Sequence, residues 1–320
     1  MKYRGLGSTG LRVSVIGVGT WQLGGEWGQR FTQQEVDQLL GRANELGVNL
    51  IDTAECYGDH LAEALIGGAL HHHRDDWVVA TKFGHRFHPE ALDNGGGSPT
   101  QLRSEHWSPA EVVAQLEGSL RALRTDHVDL YQMHSGADEV FDRHDLWEAL
   151  HQQVAKGKIR QLGVSLGGDD VDQARQASEV GASVIQVGYN RLDQTAEQGV
   201  LPACLDQDLG VIAREPLANG YLSGKYRPGA WVSASDDWRS AHDPAEARRK
   251  LELVEQIGRT EVPEGMAMAA WALAWCLQHP AVSCVVAGAK SVQQLESNAA
   301  AADSDLIGND HPRAAAAPRD

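Results

Sequence analysis

The chain is short of basic residues, of paired cysteines and of long apolar runs, and each shortage removes a class of function. It carries 28 Lys and Arg against 44 Asp and Glu, a formal charge of −16. Such a surface repels phosphate backbones, so no nucleic-acid partner is expected, and an anionic ligand would have to be met by a local basic pocket. No apolar run approaches the roughly 20 residues that cross a bilayer, so no membrane partner is expected either. The four cysteines, Cys56, Cys204, Cys276 and Cys284, show no C-x-x-C or other metal spacing. The opening MKYRGLGSTG lacks the apolar stretch of a secretory signal. A cytoplasmic protein with reduced thiols and no metal centre is the expectation. The run His71, His72, His73 closes a surface helix, where adjacent side chains do not converge on one ion.

What the chain does have is a repeating pattern. Eight segments rich in Val, Ile and Leu recur at 13–19, 47–53, 76–83, 127–134, 159–165, 183–190, 210–216 and 282–288, each but the last followed by a polar or amphipathic stretch of helical length. Near-continuous apolar runs indicate strands covered on both faces, as in a parallel sheet wrapped by helices. Eight such units predict an α/β fold, a closed (β/α)8 TIM barrel; an open doubly wound sheet is the alternative that periodicity does not separate. The barrel is expected over 1–302 as one domain, with 303–320 a frayed tail.

Ahead of the first barrel strand, KYRGLGSTGLRVS reads as a β-hairpin capping the barrel bottom. Gly5, Gly7 and Gly10 there satisfy G-x-G-x-x-G, but a strand and not a helix follows, so the glycines are assigned to a turn. Two connections, 84–107 and 217–243, are long and rich in Gly, Pro, Ser and Asp; in a barrel they rise over the C-terminal mouth, where active sites lie. Nine tryptophans against four phenylalanines is unusual, and Trp107, Trp231 and Trp238 fall in those loops, where they line a pocket or pack within the loop. Trp271 and Trp275, four apart, suit a helix core.

The polar residues that close the apolar runs form a group. Asp52 and Tyr57 follow the second strand, Lys82 ends the third and His134 ends the fourth, all facing one mouth. A buried Lys needs a carboxylate, and Asp52 on the neighbouring strand is the available one. An ammonium about 4 Å from a phenol, at an effective dielectric of about 20, favours the phenolate by about 4 kcal/mol, or about three pKa units before desolvation. Tyr57 is therefore expected to be tuned down as a proton donor to an oxygen, with His134 orienting that oxygen. The group has no nucleophile beside a base and lacks a hydride source.

The ordered motifs IDTAECYG, VVATKFG, DHVDLYQMH, GVIAREPLANGYLSGKY and VAGAKSVQQLESN resemble the aldo-keto reductase family over about residues 1–302, including its potassium-channel β-subunit-like branch. The resemblance implies a (β/α)8 barrel, NADP(H) bound without a Rossmann unit (NAD(H) less favoured), and Asp52, Tyr57, Lys82 and His134 as the catalytic tetrad reducing a small carbonyl or oxidising an alcohol. A cofactor-holding regulatory barrel is the other role the family offers. Oligomeric state is left undecided. By the same resemblance Gly19, Thr20, Trp21 and Asp52 lie beside the nicotinamide, and Ser165 and Gln186 hold its carboxamide. Leu166 stands where an Asn is common, and Arg214 where many members stack a Tyr. Leu217, Ser223 and Lys225 match the pyrophosphate loop; Gly288, Lys290, Ser291, Gln294 and Asn298 match the adenosine ribose and 2′-phosphate motif. Trp21, Tyr57, His134 and Trp107 are expected to line the substrate pocket.

Overall fold

The computed structural model describes residues 1–88, 103–230, 237–308 and 310–318; Trp231 and the middle of both long connections lie outside them. The strands are β1 (Tyr3–Gly5), β2 (Arg12–Ser14), β3 (Ile16–Gly19), β4 (Leu50–Asp52), β5 (Val78–Phe83), β6 (His85–Phe87), β7 (Arg103–Glu105), β8 (Val128–His134), β9 (Ile159–Leu166), β10 (Ala182–Gly188), β11 (Gly210–Arg214), β12 (Cys284–Gly288) and β13 (Ala314–Ala315). The helices are α1 (Gln33–Glu45), α2 (Leu61–Leu70), α3 (Pro109–Leu123), α4 (His144–Ala155), α5 (Val171–Gln176), α6 (Val200–Asp206), α7 (Pro244–Thr260), α8 (Met268–Cys276) and α9 (Val292–Ala299). All eight apolar segments become strands of one closed parallel barrel, in the order β3-β4-β5-β8-β9-β10-β11-β12 and back to β3. The open-sheet alternative is excluded. The last strand is followed by α9, which Ser291 caps.

Two packed layers explain the closure. Leu50, Val78, Ala80, Leu130, Val184, Ile212 and Val286 point into the barrel and form one buried cluster with Leu6 and Val13 of the β1–β2 hairpin, which plugs the bottom. Gly7 turns that hairpin at φ +57°, and a Cβ there would collide with the backbone at Leu209–Gly210. A close approach requires this glycine, and no phosphate does. Outside, residues such as Val79, Tyr131 and Val164 pack against the helices. Helix starts follow from local chemistry: Thr32 and Glu35 form a reciprocal capping box on α1, and Ser108 caps α3 with Pro109 in its first turn.

The expected frayed tail differs from the structure. Ala314–Ala315 pairs antiparallel with β1, and Ile307 is buried. The open edge of β1 offers the unpaired backbone groups that a short apolar segment can complete.

Candidate active site

Strand register sets the chemistry at the C-terminal mouth. Asp52 ends β4, Lys82 lies in β5 opposite Gln132 of β8, and His134 ends β8 opposite Ser165 of β9. Tyr57 sits in the turn after β4. The Lys82 ammonium donates to Asp52 Oδ2 at 2.8 Å, to the Thr53 carbonyl at 2.8 Å and to Tyr57 Oη at 3.3 Å. Asp52 Oδ1 in turn accepts from Gln186 Nε2 at 2.6 Å and Gln132 Nε2 at 3.3 Å. With its oxygen accepting from Lys82, the Tyr57 hydroxyl keeps its own proton to offer to the cavity it lines.

The electrostatics correct one expectation. Burial pushes the Tyr57 phenol up to about 12, and the Lys82 charge only partly draws it back. Taking a phenolate out of water costs more than one ammonium at 3.3 Å returns while Asp52 opposes it. Tyr57 is thus fully protonated at neutral pH. Burial works against the Lys82 charge, but Asp52 and Tyr57 lift its pKa above the ordinary value, so it stays an ammonium. Burial, reinforced by Lys82, His85 and the neighbouring arginines, holds His134 well below the usual imidazole range, so its ring is neutral.

A cavity of about 570 Å³ opens from Asp52, Tyr57 and His134 and runs to Lys290 and Gln294. Gly19, Thr20, Trp21, Gln186, Arg214, Leu217, Ser223, Lys225 and Gly288 also line it. Five expected residues do not line it: Lys82 lies buried behind Asp52 and Tyr57, and four others are placed elsewhere. Ser165 is buried between His134 and Gln186 in the barrel register. Ser291 caps α9 by accepting from the Gln294 N–H at 3.2 Å. Asn298, on the inner side of α9, donates to the Gly288 carbonyl at 3.4 Å. Trp107 is drawn away because Gly84, at φ +109°, leaves a groove that its ring fills against Phe83; its indole N–H donates to Glu105. Leu166 is buried in the outer core, and its carbonyl accepts from Arg214, whose guanidinium also pairs with Glu215.

Several contributors were missed by sequence reasoning. Glu26 accepts from the Trp21 indole N–H, and its two carboxylate oxygens share the Arg103 Nη2 donor at 3.0 and 3.1 Å. The Arg103 guanidinium lies 5.7 Å from the centres of both the Trp21 and Tyr57 rings. Trp27 meets Trp21 at 5.2 Å and Arg239 stacks 4.7 Å over Trp27; Trp238, which was expected to line a pocket or pack within its loop, lines this cavity and also meets Trp21 at 5.2 Å. The tryptophan excess was the available signal; the pairing of Arg103 with Glu26 had none. At the far end Lys290 donates to the Trp27 carbonyl and lies 3.8 Å from Asp237, while Gln294 accepts from the Lys290 N–H.

These residues fit a dinucleotide with an anionic pyrophosphate. Lys225, Arg239 and Lys290 gather positive charge around one cavity of a strongly acidic chain. The indole N–H groups of Trp27 and Trp238, on the same cavity, are buried with no hydrogen-bond partner among the described residues. A buried donor without a partner is costly, and a bound acceptor relieves it.

Comparison with known proteins agrees. The model of the Aldo/keto reductase family matches residues 15–316. "Uncharacterized oxidoreductase YrpG" of Bacillus subtilis (strain 168) is 33% identical, covering 96% of this chain and 92% of its own. "NADH-specific methylglyoxal reductase" of Escherichia coli (strain K12) is 29% identical, covering 96% and 95%. The solved structure of an aldo-keto reductase from Klebsiella pneumoniae in complex with NADPH matches with a TM-score of 0.69 and 28% identity, over 95% of this chain and 90% of that one.

Proposed function

The chain belongs to the aldo/keto reductase family, and from that premise we propose that it is a cytoplasmic NADP(H)-dependent oxidoreductase that reduces small aldehydes or ketones, or oxidises the corresponding alcohols, with Tyr57 as the proton donor. The observation that carries this reading is the hydrogen-bond chain from Asp52 through the Lys82 ammonium to Tyr57 Oη on the cavity floor.

When bound, the nicotinamide supplies the hydride that the carbonyl carbon receives. The protein's own groups handle the oxygen. Tyr57 donates its proton to the carbonyl oxygen as negative charge develops there. The phenolate left behind faces the Lys82 ammonium at 3.3 Å, which the fixed Asp52 carboxylate keeps protonated and in place. Neutral His134 donates a hydrogen bond to the same oxygen and orients it. In the oxidative direction the phenolate takes the alcohol proton. The wall of Trp21, Trp27 and Trp238 excludes water from one side.

NADP(H) over NAD(H) rests on Lys290 with Gln294 and the helix start of α9 at the end of the cavity distant from Tyr57. The NADPH-bound Klebsiella structure favours it, whereas the Escherichia coli relative is named NADH-specific. The test is titration of both cofactors, read by quenching of the tryptophans that line the cavity, followed by a panel of aldehydes and ketones with the tighter one. Tight NADPH binding with turnover supports the reading. NADH binding the tighter of the two overturns the cofactor assignment, and binding without any turnover overturns the reductase.

A further inference from the structure

Cys56, His85 and His134 are far apart in sequence, yet the barrel rim brings them together beside the tetrad. One donor atom from each lies within 4.8 Å of the other two. Cys56 Sγ is 3.6 Å from His134 Nδ1. A tetrahedral ion with bonds of about 2.3 Å to sulfur and about 2.0–2.1 Å to imidazole nitrogen places those two atoms about 3.6 Å apart. The His85 ring packs on His134 with centres 4.7 Å apart, and its Nδ1 is buried with no hydrogen-bond partner among the described residues. Two imidazole ligands of one tetrahedral ion require their nitrogens about 3.4 Å apart, so the His85 ring must close in from a separation of at most 4.8 Å.

A further buried oxygen lies beside the three ligands. Glu55 precedes Cys56, accepts from the His85 backbone N–H at 3.1 Å, and has its second carboxyl oxygen buried without a partner among the described residues.

We propose that Cys56, His85 and His134 bind one divalent cation of the zinc class and that its binding switches off carbonyl reduction. The Cys56 thiol proton passes to solvent as the metal–sulfur bond forms, two imidazole nitrogens complete the protein's share, and water takes the fourth position. Loss of activity follows because the ion ties the His134 ring to Cys56 and His85, where it no longer turns to orient the substrate oxygen, and sets a divalent charge beside Tyr57, whose ring lies 6.2 Å from that of His134; this half rests on the role given to His134 above.

The test uses the full chain, reduced and stripped of metal, with Co²⁺ as a spectroscopic probe and Zn²⁺ as inhibitor. One equivalent of Co²⁺ should give tetrahedral visible bands with a sulfur-to-cobalt charge-transfer band. Cys56→Ser should abolish the charge-transfer band, and His85→Phe should weaken Co²⁺ binding by about tenfold or more. Replacing His71, His72 and His73 together with Ala should change nothing. Zn²⁺ should inhibit NADPH-dependent turnover of the wild type, and each of the first two variants should resist it relative to its own metal-free rate. No charge-transfer band in the wild type, or one that survives Cys56→Ser or vanishes with the triple histidine variant, overturns the site. A correct band with turnover untouched by Zn²⁺ overturns the inhibition and leaves the site. No turnover with either cofactor defeats the reductase reading, and the band alone then decides the site.

Discussion

The two ends of the cavity are built differently. At the tetrad end the side chains leave rigid barrel strands, are buried, and bond to one another: Lys82 and Asp52 are at most 4% exposed, and Gln132 and Gln186 hold the carboxylate from behind. At the Lys290 end they come from loops and the start of α9, Lys225 is exposed, and Lys290 already bonds to Trp27 and lies near Asp237. The first end resembles a preorganised catalyst, in which polar groups are fixed before the reaction. The second must exchange internal partners for a ligand, so it should govern affinity and cofactor choice more than rate.

The largest break in this comparison is Lys82→Met. It removes the cation from a buried pair and leaves Asp52 charged without it, which should cost about 3–5 kcal/mol of stability in denaturant titrations along with activity. Asp52→Asn added to it should restore much of the stability and none of the turnover. Stability restored with turnover would make the pair structural only.

A subtler effect concerns Glu55, behind the tetrad. Burial, with the charge of Glu63 adding to it, pushes this carboxyl up to about 8, from an ordinary value of 4.5. The folded protein then keeps a proton that the unfolded chain releases, so this group's contribution to stability is full below about 4.5 and is lost as pH rises toward about 8. Unfolding free energies of wild type and Glu55→Gln across that range should diverge by a few kcal/mol, the wild type falling relative to the variant. Parallel curves would mean that Glu55 is ionised throughout.

Smaller still, Lys290→Ala should weaken NADPH by about tenfold, the scale of one charge-assisted hydrogen bond, with NADH affected much less and the catalytic rate kept at saturation. Equal losses for both cofactors would remove any 2′-phosphate role from Lys290.

Much of the tetrad end was legible in the sequence for the reason that makes it rigid. Strand periodicity placed the barrel, and Asp52, Lys82 and His134 stood at strand ends where only one mouth is available. What periodicity does not carry is side-chain partnership across the loops. Arg103 reaches Glu26 only because β6 and β7 pair, and Trp107 leaves the pocket only because Gly84 makes room beneath it. The direction of the Tyr57 shift was likewise missed, since the ammonium could be counted from sequence but the depth of burial could not. The C-terminal strand escaped notice because its two alanines pair through backbone groups alone.

The central claim is that Tyr57 supplies the proton while the rest of the site binds. Single-turnover reduction of a carbonyl by prebound NADPH in Tyr57→Phe tests it most directly. The predicted result is a rate about 10²–10⁴-fold below wild type with NADPH affinity nearly unchanged. A wild-type rate would contradict the account and remove Tyr57 from the chemistry.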